Sequence, residues 1–230
     1  MAADFPIVFT LYPRMTQLDF TGPYEVFWRL PGAQCILASA TGGDMEVDGG
    51  IVFANVRRLA DIERCALICV PGGLGTIEAI EDAELLAQVR RLAATARYVT
   101  SVCTGALLLG AAGLLRGYRA TTHWLSLDLL PLFGAQPVEE RVVIDRNRIT
   151  GGGVTAGIDF GLFVAAQVFG PTVAQEIQLM IEYSPDPPFD SGSRKTAPQS
   201  LIENVSNARQ RIQTERRAIA ERVARRSAHL

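Results

Sequence analysis

Of the four cysteines in the 230-residue chain, one occupies a setting that suits chemistry. Cys103 follows Tyr98-Val99-Thr100-Ser101-Val102, a short β-branched and aromatic run of strand character. It precedes Gly105 to Gly110, whose small and leucine-rich composition suits a packed helix. At such a join a side chain projects from the carboxyl edge of a sheet toward the first amides of a helix. Their partial positive charge predicts a lowered thiol pKa and a larger thiolate fraction, as a nucleophile requires. Strand, sharp turn and helix form the same device as the nucleophile elbow of hydrolases, with sulfur in place of hydroxyl. Cys35, Cys65 and Cys69 lie within or beside apolar strand-like runs and read as small buried hydrophobes.

Two further side chains are candidates for proton chemistry. Asp19 stands between Leu18 and Phe20, an apolar setting that raises a carboxyl pKa and suits a proton donor. The competing reading is a carboxylate that accepts backbone hydrogen bonds in its loop. His123, in Arg119-Ala120-Thr121-Thr122-His123-Trp124, reads as a base near Cys103, as a polar wall of the pocket, or as a structural residue beside Trp124. Two glycine-rich loops complete the set. Gly72 and Gly73, after the apolar run Ala66 to Val70, are expected to offer amides to developing negative charge. Gly152 and Val154, in Gly151 to Gly157, are expected in the pocket wall. Neither loop has the glycine and lysine spacing of a phosphate-binding motif.

The elements that must position these residues alternate in type. Strands are predicted at Ile7–Tyr12, Gln34–Ala40, Ile51–Asn55, Ala66–Val70 and Tyr98–Val102, with a hairpin over Arg141–Thr150. Helices are predicted after Gly22, with Thr21 as cap and Pro23 in the first turn, and over Glu81–Ala96, Gly105–Gly113, Ile158–Phe169 and Pro171–Ile181. The alternation implies a three-layer α/β sandwich with a mostly parallel central sheet, flavodoxin-like, plus a C-terminal helical extension. In such sheets the site lies outside the carboxyl ends of the strands, where the Gly72, Cys103 and Gly152 loops would converge. The domain is expected over residues 1–184. Residues 185–230 are read as a Pro-, Ser- and Asp-rich strap and an arginine-rich helix from Gln199 to Leu230, packed on the domain or on a dimer partner.

Composition narrows the function classes. The chain is 48% hydrophobic and 20% charged with net charge -2, which describes a globular protein and gives no general argument for nucleic acid or an anionic membrane as partner. Four cysteines without a pairing pattern suit a reducing compartment, and Met1 to Thr10 lacks the parts of a secretory signal. No apolar segment is long enough to span a bilayer uninterrupted. A cytoplasmic protein is expected.

Taken together, Pro71-Gly72-Gly73, Ser101-Val102-Cys103-Thr104-Gly105, Ala120 to Trp124 and Gly151-Gly152-Gly153 resemble the ThiJ/PfpI superfamily, the class I glutamine-amidotransferase-like α/β proteins, over about Ile7 to Ile181. Within it the chain most resembles the isocyanide hydratases. That likeness rests on Gln17 to Pro23, Ser101 to Gly105, Gly151 to Asp159 and Glu182-Tyr183-Ser184-Pro185-Asp186-Pro187-Pro188-Phe189. Many superfamily members carry Glu where this chain has Asp19. AraC-family regulators share the Cys-Thr-Gly and Thr-Thr-His-Trp motifs, but the residues after Ile181 are too few for their paired helix-turn-helix units.

The resemblance implies an enzyme that converts an isocyanide and water to an N-substituted formamide. Cys103 would attack the terminal carbon to give a thioimidate, Asp19 would transfer protons and activate water, and Thr104 would orient Asp19 and donate its amide. It implies no cofactor, no metal and a homodimer. The alternatives are a glyoxalase- or deglycase-like enzyme on methylglyoxal, or a non-enzymatic cysteine redox sensor or regulator-like domain without its DNA-binding part.

Overall fold

The computed structural model describes residues 4–227. The strands are β1 (Phe5–Thr10), β2 (Ala33–Ser39), β3 (Gly43–Glu46), β4 (Val52–Arg58), β5 (Leu67–Val70), β6 (Tyr98–Val102), β7 (Arg119–Ala120), β8 (Gln136–Pro137), β9 (Val142–Asp145) and β10 (Arg148–Gly151). The helices are α1 (Gln17–Phe27), α2 (Thr76–Ala79), α3 (Ala83–Ala93), α4 (Gly105–Ala111), α5 (Ala156–Phe169), α6 (Pro171–Met180) and α7 (Gln199–Ser227), with a 3₁₀ run at Trp124–Phe133.

The main sheet runs β3-β4-β2-β1-β5-β6-β10-β9, parallel except for the β3–β4 and β9–β10 hairpins at its edges. Its centre is therefore β2-β1-β5-β6-β10, a doubly wound order that reverses direction between β1 and β5. Every residue of β5 and β6 is buried, as expected of parallel strands covered on both faces. Helices α1, α5 and α6 pack together on one side of the sheet. On the other side α4 contacts α2, α3, α7 and the 3₁₀ run, which makes the three-layer sandwich. Val70 pairs with Ser101, and Gly151 with Val102, so the residues just beyond three adjacent strands lie side by side.

Several boundaries differ from the sequence expectation. Helix α1 begins at Gln17, not after Gly22: Thr16 is its N-cap, and Thr21 sits within it, its hydroxyl bonded to the Gln17 carbonyl at 3.1 Å. Pro23 lies inside the helix, where it removes one backbone bond. Burial of Phe20, Val26 and Phe27 in the core outweighs that loss. The Asp82 side chain, accepting from Leu85 N at 3.0 Å, starts α3 two residues later than the periodicity suggests. Helix α2 and the 3₁₀ run were not expected. The latter carries Pro131 and leucines without a 3.6-residue period.

The tail is helical as expected to Ser227, and its last three residues lie outside the described residues. Helix α7 packs on its own chain: Ala220 and Val223 are buried, Arg222 forms a two-pronged pair with Glu81, and Arg217 pairs with Asp128. The strap before it lacks regular structure, and there Arg194 clamps Glu139 through two 3.0 Å bonds. Among the described residues no helix is long and apolar enough to cross a membrane.

Candidate active site

Cys103 has φ +56°, a left-handed conformation that a non-glycine residue adopts only where its surroundings fix it. They do so here. Its amide donates to both Gly152 O (2.8 Å) and Gly151 O (3.1 Å), and its carbonyl accepts from Thr122 Oγ1 at 2.8 Å. The turn also needs glycine at its next corner, because a Cβ on Gly105 would lie 2.1 Å from Val70 O. The elbow read from sequence is thus locked by the strands on either side of β6.

Asp19 arrives from the first turn of α1, across the switch point of the sheet. It is fully buried, its Oδ2 accepts from Gly72 N at 3.0 Å, and its Oδ1 has no N–H or O–H donor. It accepts the backbone bond that one reading expects, and burial pushes its pKa up to about 7. Its carboxyl borders the Cys103 thiol closely enough that each group sets the other's proton affinity, although the S–H···O contact falls short of an aligned hydrogen bond.

The expectation of a lowered thiol pKa is corrected. Burial and the neighbouring Asp19 carboxylate hold the Cys103 proton on, and they outweigh the amides of Thr104 and Val154 directed at the sulfur. The site at rest is a protonated thiol beside a carboxyl poised near neutrality. That is a good starting point for moving a proton and a poor one for a standing thiolate.

The glycine loop does a different job from the one expected. Gly72 N serves Asp19, and Gly73 N donates to Thr104 Oγ1 at 2.9 Å, so neither amide faces developing charge. The amides at the sulfur are those of Thr104 and Val154. The Thr104 hydroxyl continues into a buried chain: it bonds Thr76 Oγ1 at 2.8 Å, which bonds Tyr12 Oη at 3.1 Å, which donates to Pro71 O at 2.7 Å. Tyr12 and Thr76, missed from sequence, thus tie the Gly72 loop to the elbow. Thr104 bonds Gly73 and Thr76, not Asp19.

His123 borders the same chamber as Cys103. Its Nδ1 accepts from Leu125 N at 3.3 Å, which leaves the proton of the neutral ring on Nε2. Burial, with Arg216 and Arg209 nearby, lowers its pKa to about 4. The chamber, about 170 Å³, is bordered by Cys103, Thr104, Gly73, Val154 and His123 from the sheet edge and by Arg209, Ile212, Gln213 and Arg216 from α7. Gly152 lines a second cavity of about 410 Å³, which shares the His123 and Val154 wall and is also lined by strap residues Gly192 to Lys195. Sequence reasoning missed the α7 residues. The available signal was the stripe Arg209, Ile212, Gln213, Arg216, Ala220, Val223, whose three- and four-residue spacing sets two arginines on the inward face.

The chain is 50% identical over 199 residues to isonitrile hydratase of Pseudomonas putida, which covers 86% of this chain and 87% of that protein. It is 33% identical over 141 residues to an HTH-type transcriptional regulator of Pseudomonas aeruginosa, 60% of this chain but only 42% of the regulator. The crystal structure of a ThiJ/PfpI family protein from Pseudomonas syringae superposes with a TM-score of 0.92 at 43% identity and covers 95% of this chain and 91% of that one. Residues 6–167, which carry Asp19, the Gly72 loop, the elbow and Val154, match the DJ-1/PfpI family model, and the chain therefore belongs to the DJ-1/PfpI family.

Proposed function

We propose that the chain is an isocyanide hydratase that converts R–N≡C and water to R–NH–CHO. The observation that carries this reading is the extent of the likeness to isonitrile hydratase, which takes in 86% of the chain and so runs well beyond the shared family region. In the proposed reaction the S–H proton of Cys103 passes to the Asp19 carboxylate as sulfur attacks the terminal isocyanide carbon. Asp19 returns that proton to the same carbon, which gives R–N=CH–S–Cys103. Asp19 then takes a proton from water as its oxygen adds to the thioimidate carbon, and passes that proton to the imine nitrogen. Collapse expels the Cys103 sulfur, which recovers its proton, and releases the formamide. A carboxyl with a pKa near 7 is matched to both directions of transfer. The amides of Thr104 and Val154 would stabilise negative charge on sulfur.

Against the regulator-like alternative stands the extent of the likeness, which takes in 87% of isonitrile hydratase and 42% of the regulator. In the proposal, residues 1–184 carry the reacting groups and α7 roofs the chamber. The protein works as a cytoplasmic homodimer, which the four free thiols and the exposed Phe163, Leu179 and Met180 of α5 and α6 support. Purified protein mixed with an aryl isocyanide should yield the formamide, followed by its absorbance, and Cys103→Ala should abolish turnover. Formamide production that persists in Cys103→Ala overturns the thiol role; none in the wild type overturns the hydratase reading.

A further inference from the structure

Arg216 is 4% exposed, and its guanidinium borders the Cys103 chamber. Each acceptor it meets is neutral and weak: Ser126 Oγ at 3.3 Å from Nη1 and Gly73 O at 3.4 Å from Nη2. Turning the Gln213 amide over lets its oxygen accept from Nη1 at 2.9 Å, and that acceptor is also neutral. Nε is buried with no acceptor at all. None of the ion pairs among the described residues includes Arg216 or Arg209.

A buried guanidinium without a carboxylate is costly, and such groups persist where an anion joins them. The charged and titratable groups facing it are Cys103, Tyr12 and His123, with Arg209 seven residues earlier on the same face of α7 and Asp48 across the chamber. Cys103 and Tyr12 keep their protons, and Arg209 adds like charge. No hydrogen bond joins the guanidinium to the Cys103 sulfur, yet both border one chamber of about 170 Å³, room for a small molecule to reach from one to the other.

We propose that Arg216, with Arg209 beside it on the chamber wall, is a carboxylate-binding site, and that among isocyanides the chamber prefers small ones bearing a carboxylate. The inference rests on the hydratase reading for the isocyanide end and, for the other, on a buried guanidinium with no carboxylate partner and no acceptor at Nε. Arg216 is then a specificity-determining residue: it fixes the anionic end and presents the terminal carbon to sulfur.

The test compares isocyanoacetate with its neutral methyl ester. In the wild type, kcat/KM should favour the carboxylate, and the carboxylate-to-ester ratio should fall about 10- to 100-fold in Arg216→Gln, the range for a charge-assisted bond. Arg216→Lys should keep part of the ratio, and Arg209→Gln should lower it less. A separate arm needs no turnover: Cys103→Ala protein should bind N-formylglycine in calorimetry and not its methyl ester, and adding Arg216→Gln should remove that binding. A wild type indifferent to the carboxylate, equal losses for acid and ester in Arg216→Gln, or no binding of N-formylglycine overturns the proposal. Hydration of neither isocyanide together with retained N-formylglycine binding overturns the hydratase reading and leaves the anion site standing.

Discussion

Cys69 and Cys103 are both buried, one on β5 and the other just past the end of β6, and burial pushes both thiols up, Cys69 to about 12. Resting acidity does not separate them. Cys69 is paired in mid-sheet between Phe9 and Thr100 and has extended backbone. Cys103 lies one residue past its strand, at φ +56°, beside a carboxyl with an unpaired oxygen and an open chamber. The contrast teaches that what sets the proposed nucleophile apart is where the backbone turns and which carboxyl stands beside it, and not a thiol kept ionised in advance.

The widest test of this contrast is a pair of substitutions. Cys103→Ala should remove isocyanide hydration, whereas Cys69→Ala should keep kcat within a few-fold and cost about 1–2 kcal/mol of stability in denaturant unfolding. Loss of turnover in both would erase the distinction. Asp19→Asn, which leaves Cys103 at its turn but without a proton acceptor, should lower kcat by about 10²- to 10⁴-fold. Gly72→Ala should lower kcat about tenfold or more, because its Cβ would sit 2.4 Å from Thr104 N and 2.9 Å from Asp19 Oδ2. That substitution disturbs the Cys103 neighbourhood and spares that of Cys69.

The smallest effect is in stability against pH. The raised pKa of Asp19 means that the folded chain binds a proton between about pH 4 and 7 that the unfolded chain has released. Its contribution is complete below the unfolded value of 3.8 and is lost as pH rises through about 7. Over that window wild type should lose stability relative to Asp19→Asn, read from urea midpoints; parallel curves would place the Asp19 pKa near its ordinary value.

Local signals carried much of the sequence reading. The buried run ending at Val102, the cysteine, Gly105 and the leucines of α4 are contiguous, so the elbow and its strand were legible, as were the glycine loops that meet it. The two-stranded edge over Val142–Gly151 was equally plain from its turn at Asp145-Arg146-Asn147. What escaped depends on long-range neighbours. The direction of the Cys103 pKa is decided by Asp19, 84 positions earlier in the chain, and by burial, neither of which the helix-amide argument contains. The amides of Gly72 and Gly73 seemed free because their acceptors, Asp19 and Thr104, belong to other segments. Arg216 did not stand out from the other arginines of a helix read as packed on the domain or a partner, since only packing shows which arginine turns inward.

Helix α7 carries one further consequence. Its contacts with the body rest on a narrow buried stripe and on exposed ion pairs such as Arg222–Glu81 and Arg217–Asp128, which are individually weak and screened by salt. β6, by contrast, is buried at every residue. Local opening in such a molecule begins where few apolar contacts hold, so the roof of the chamber exchanges its amide hydrogens long before the floor does. The helix that covers the thiol is thus held more weakly, and with more sensitivity to salt, than the bed on which the thiol is mounted.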